Sequence, residues 1–158
     1  MKHKSERGQS LVELGVSLLV LLYLLSGAVE FGILFFQYVQ LRDAAQEGAL
    51  YGSMNPTPAD ITEIMNRVRF SSASPLDLDA LITSGEVTVE ITIDDKPPTD
   101  PLYATLDCEG HGIEVAVGYN HRIFMPFLPQ ILNRNVIPLK AVVVDTILTP
   151  HICIQPTP

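Results

Sequence analysis

The chain has 158 residues, with 10 Lys and Arg against 18 Asp and Glu and a formal net charge of −8. That length allows one modest domain beside a membrane segment and leaves too little chain for a second full core. Its basic residues are scattered except at the N-terminus, so nothing resembles a phosphate-binding stripe and nucleic acid is a poor candidate partner.

Residues 1–8 form a basic leader that carries Lys2, Lys4 and Arg7. An apolar run follows from Leu14 to Phe36, interrupted by one charge, Glu30. About 23 residues at ~1.5 Å each are enough to span a bilayer with some tilt. The first stretch beyond the run offers only Arg42, offset by Asp43 and Glu47, so the leader is expected to stay cytoplasmic and the rest to face outward. Three origins fit such a segment: an uncleaved anchor, a signal peptide, or a prepilin-type leader whose cleavage leaves the helix in place. Ser26-Gly27-Ala28 supplies the small residues of a signal-peptide site, but Phe31–Phe36 carries the apolar run past it, which ranks that origin third.

No helix breaker marks the membrane surface. Tyr38, Leu41, Ala45, Gly48 and Ala49 continue one stripe, which predicts a single helix from about Ser10 to Gly52, about 65 Å long. Gly52, Ser53, Asn55 and Pro56 stop it, and residues 53–158 are expected to form an extracytoplasmic domain. Within that domain a short helix is predicted over Pro58–Phe70, with Thr57 as its N-cap. Glu86–Ile93 and Gly112–Tyr119 alternate strictly and predict strands with one buried face. Pro138–Leu148 predicts a third strand, whose Val142-Val143-Val144 centre suggests burial on both faces. The fold class expected is α+β, a long helix under a small antiparallel sheet, with Ala44, Ala45, Gly48 and Ala49 allowing a close approach. Two loops stand out. Asp94–Gly110 is proline-rich and is expected either to contact a partner or to be mobile. Phe124–Leu132 is apolar but broken by two prolines, and is expected to cover the core, with contact to lipid or a neighbour as the alternative.

The charges in the apolar run carry the functional argument, because a charge in hydrocarbon costs roughly 2.5–3.5 kcal/mol on insertion scales. A basic tip, Gly8, then Glu13 at the start of an apolar helix resembles a type IV prepilin leader. The resemblance implies cleavage between Gly8 and Gln9 by a prepilin peptidase. The new amine at Gln9 would then share a helix face with Glu13, four residues on. It also implies that the Glu13 carboxylate meets the amine of an adjacent subunit, in a medium where unpaired charge is costly. Glu30 is expected to act in packing or assembly, with snorkelling or the hydroxyl of Ser26 satisfying it locally and Ala28 and Gly32 forming a small-residue pair for helix contact.

Arg7-Gly8-Gln9, Val12-Glu13, Glu30-Phe31-Gly32 and Ala44–Ala49 together resemble the TadE-like family of tight-adherence (Tad) pilus assembly systems over about residues 7–52. Leu14 stands where that family usually has an aromatic, and Gln46 where arginine is frequent. The resemblance implies a minor-pilin-like structural component of the cell membrane, single-pass, whose partners are the membrane, the prepilin peptidase and other pilus or pseudopilus subunits. A plain membrane-anchored binding module is the alternative.

Cys108 and Cys153 are the only cysteines and fall on the outward side, where a disulfide between them is expected. With His111 and His151 they also compose a candidate metal site, although its spacings differ from those of structural zinc centres. Neither GxSxG, HExxH nor a phosphate-binding glycine loop occurs, so no enzyme activity, cofactor or small-molecule substrate is expected. Asp94-Asp95 is expected to be a solvated turn, and His3 and His121 surface residues.

Overall fold

The computed structural model describes residues 6–125 and 128–148, with backbone alone at 6 and 7. Helix α1 runs from Glu6 to Met54, 49 residues without a break and so about 73 Å at ~1.5 Å per residue. It contains no proline. It ends where the Asn55 amide and side chain both donate to Tyr51 O, at 3.0 and 3.3 Å, and Pro56 follows.

The two halves of α1 differ in their surroundings. Every described side chain from Gly8 to Leu25 is exposed, whereas Leu41, Ala44, Ala45, Gly48, Ala49, Gly52 and Ser53 are buried. Their spacing puts the buried residues on one face. Tyr38, expected on that stripe, lies at its exposed margin. Small residues are needed there because a Cβ at Gly48 would fall 2.5 Å from Val68 Cγ2, and one at Gly52 2.6 Å from Ile113 Cδ1.

Against this face lies a three-stranded antiparallel sheet in the order β1-β2-β3, formed by Val87–Ile93, Gly112–Arg122 and Val136–Thr146. Val117 pairs with both Val89 and Ala141. The central strand places Ile113, Val115 and Val117 in the core by its period of two. The edge strand β3 corrects the expectation for Val142-Val143-Val144. Val144 is 61% exposed and Val142 also faces outward, because an antiparallel sheet with only one covered face leaves alternate residues open.

The predicted helix over Pro58–Phe70 splits into a 3-10 turn, Pro58–Asp60, and α2, Ile61–Phe70, which buries Ile64 and Val68. An additional helix, α3 (Leu78–Ser84), follows α2. Asp77 caps it by accepting from Ala80 N, and Gly85 closes it at φ 79°. The Asp94–Gly110 segment is pinned to the core. Its single helical turn α4 (Tyr103–Leu106) buries Tyr103, and Cys108 is buried beside it. Burial, with Asp107 nearby, pushes the Tyr103 phenol up to about 12. The described residues of the Phe124–Leu132 segment, which leave out 126 and 127, do not cover the core as expected. They form a tip carrying the short helix α5, Leu128–Leu132, and Phe124 and Ile131 are each 74% exposed. Pro129 has no amide hydrogen to donate to a strand ladder.

Candidate functional site: the acids of the long helix

The two acids of the apolar segment have different fates. Gly8, Gln9 and Glu13 all lie on the exposed N-terminal part of α1, with Gln9 and Glu13 one turn apart on one face. Open space surrounds the Gly8 Cα. Glu13 makes no hydrogen bond or ion pair with any described group, and its side chain is exposed.

Glu30 is sealed inside. It is 1% exposed, and its Oε1 lies 2.9 Å from Nε2 of His121, in hydrogen-bond contact, and accepts from the Phe124 amide at 3.2 Å. An ionised carboxylate can only accept, and with Glu30 in that form the hydrogen between the two groups belongs to Nε2. The His121 ring is itself fully buried, edge-on to Tyr119 and Phe124. Two expectations are corrected here. His121 is a core residue, because β2 runs three residues beyond Tyr119 and the alternation of Ile113, Val115 and Val117 carries on to position 121. Ser26 is not the partner of Glu30, since its hydroxyl donates to the Met125 sulfur instead. Extending the alternation by one period would have marked His121 from sequence. The Glu30 contact itself, across 91 positions, left no sequence signal.

These bonds hold the 123–125 turn against α1 at the level of residues 26–30. A second loop comes down nearby, where Pro75 and Leu76 share an apolar groove with Val29, Gly32, Ile33 and Phe36. The apolar part of α1 is long enough to cross a membrane. A core helix of a soluble domain would be mostly buried, and here the opposite holds from Gly8 to Leu25.

Residues 8–50 match the family model described as TadE-like protein. The N-terminal helix is TadE-like. The match covers about a quarter of the chain, the apolar N-terminal helix with both of its acids. The TadE-like match ends inside α1, so the sheet and the tip lie beyond it. No curated protein and no solved structure matches the chain.

Outside the TadE-like helix, Asp94 and His111 form a surface pair. Asp94 Oδ2 faces His111 Nδ1 at 2.5 Å, and Oδ1 accepts from Gly112 N at 3.1 Å. The hydrogen bond from His111 holds the Asp94 carboxyl below the usual carboxylate range against the opposing effect of burial, with further help from the Gly112 amide. Asp94-Asp95 is a turn as expected, with φ of 46° and 63°. Among the described residues no group of three or more His, Cys, Asp or Glu is placed to hold a metal ion. The proposed partner of Cys108, Cys153, and the candidate ligand His151 lie outside the described residues, as does His3.

Proposed function

We propose that the protein is a minor-pilin-like subunit of a Tad-type pilus assembly apparatus, anchored by α1 with its N-terminus cytoplasmic and acting through subunit contacts. One observation carries this reading. Of the two acids on the apolar helix, Glu30 is buried with the His121 ring and the Phe124 amide on one of its oxygens, while Glu13 is exposed and has no partner among the described residues. Inside a bilayer such a carboxylate is stable only with a partner, and a positively charged group on a neighbouring subunit supplies one.

The α-amino group released by cleavage between Gly8 and Gln9 fits that role. It is cationic and lies at the start of the same helix, and cleavage removes the basic leader that would otherwise hold the helix in the membrane. On this reading the prepilin peptidase releases the subunit, and Glu13 directs its lateral docking. N-terminal analysis of the membrane-extracted protein tests it. A chain that begins at Gln9 supports the proposal. A chain that begins at Val29 indicates a signal peptide, and an intact leader in cells with active prepilin peptidase leaves a plain membrane anchor.

A further inference from the structure

The tip at the end of β2 lies lower on α1 than a water-exposed loop should. Phe124 N bonds to Glu30, and Met125 receives the Ser26 hydroxyl. Glu30 and Ser26 are six and ten residues below Phe36, where the apolar run ends, or about 9 and 15 Å along the axis at ~1.5 Å per residue. We propose that this tip, Ile123–Met125 with α5, is embedded in the outer leaflet of the bilayer that α1 crosses. The domain would then be seated partly within the membrane instead of standing above it. The proposal rests on α1 spanning the membrane, as the functional reading requires.

Helix length favours this seating. If the tip had to stay in water, the span would end below Ser26. Leu11–Leu25 would then supply about 22 Å, short of a hydrocarbon core of roughly 30 Å. With the tip inside, Leu14–Phe36 supplies about 34 Å and the lengths match.

The chemistry of the tip agrees with its depth. Phe124, Ile131 and Leu132 are exposed, and so are Val29, Phe31, Phe35 and Phe36 of α1. In water these residues would form an apolar surface of the kind that marks an interaction site. The ionisable side chains at this depth, Glu30 and His121, are buried against each other. Charge reappears at the base of the tip. Arg122 and Arg134 flank it, both exposed, and the adjacent Ile123 amide donates to Asn135 O at 3.2 Å, so the two arginines leave the sheet together. Side chains of this kind at the edge of an apolar wedge suit the phosphates of anionic headgroups.

The protein contains no tryptophan, so a single introduced one reports its own depth. Three full-length variants, Phe124→Trp, Leu18→Trp and Phe70→Trp, would be reconstituted at low protein density in vesicles of phosphatidylcholine and phosphatidylglycerol containing brominated phosphatidylcholine. All three positions are exposed, so the substitutions leave the core intact. Bromine should quench Leu18→Trp strongly, Phe124→Trp several-fold more than Phe70→Trp, and Phe124→Trp most with bromine near the headgroup end of the acyl chain. Quenching of Leu18→Trp with Phe124→Trp as unaffected as Phe70→Trp would overturn the embedded tip while leaving the span intact. Absence of quenching at Leu18→Trp would overturn the membrane-spanning reading and the tip proposal with it.

Discussion

Glu30 Oε1 and His121 Nε2 lie 2.9 Å apart, with both side chains withdrawn from solvent, and they tie the apolar part of the long helix to the end of the central strand. The contact gives the acid of the apolar segment a partner within the chain. It also sets how far down the helix the folded part reaches.

Removing one member should therefore destabilise the fold more than its small size suggests. His121→Ala leaves the Glu30 carboxylate buried with one fewer donor, and a loss of about 3–5 kcal/mol is expected from breaking a buried pair. Glu30→Gln keeps a carbonyl oxygen for both the imidazole and the Phe124 amide, and should lose much less. Urea unfolding of the detergent-solubilised chain measures both. Equal losses would show that the charge of Glu30 matters more than its hydrogen bonds.

Glycines on α1 should sort by position. Gly48→Val places new atoms on Val68, and overpacking of this kind typically costs about 1–3 kcal/mol. Gly15→Ala meets nothing within 4 Å and should leave stability unchanged or raise it by up to about 1 kcal/mol through helix propensity. Thermal unfolding of the two variants side by side checks the contrast.

Asp94 should contribute an acid-sensitive increment. Its folded pKa is depressed from the ordinary value of 3.8, so its stabilisation is fully present above that value and is lost as the pH falls through the folded pKa. Asp94→Asn keeps an acceptor for Gly112 N and tolerates the positive φ, but it does not titrate. The wild-type advantage over Asp94→Asn, read as a difference in Tm, should be constant near neutral pH and shrink below about pH 4. An advantage that grows in acid would contradict the assignment.

Glu13 should matter to assembly more than to insertion. Glu13→Gln and Glu13→Leu are expected to insert in the membrane as well as the wild type does, since each removes a charge from the apolar segment. Both should lose co-purification with other pilus subunits. Normal piliation by Glu13→Leu would remove the docking role.

Cys108 should pair with Cys153 in the exported protein. Ile147 N donates to His111 O at 2.9 Å and Gly110 N donates to Ile147 O at 3.2 Å, which brings the C-terminal strand to the Cys108 segment. The six residues from there to Cys153 span at most about 20 Å, ample for the connection. Non-reducing peptide mapping should find the linked pair. Two alkylatable thiols, or zinc released on denaturation, would count against it.

Local patterns account for much of what was legible in advance. The run from Leu14 to Phe36 and the small-residue stripe from Leu41 to Ala49 announced one long helix because helical period and breaker chemistry act within a few residues. Strict alternation announced β1 and most of β2 for the same reason. The motif around Gly8 and Glu13 was equally local, and the TadE-like match falls on that helix. By contrast, the exposure of Val142 and Val144 depends on β3 standing at an edge with one face uncovered, which its composition does not encode. The burial of His121 depends on β2 continuing to Arg122 beside α1. Why Glu30 sits in an apolar helix was likewise invisible, because its partners are 91 and 94 positions away. A side chain's local sequence sets which way it can point, but whether it meets water, lipid or a distant partner depends on which elements pack against it, and only the folded chain establishes that.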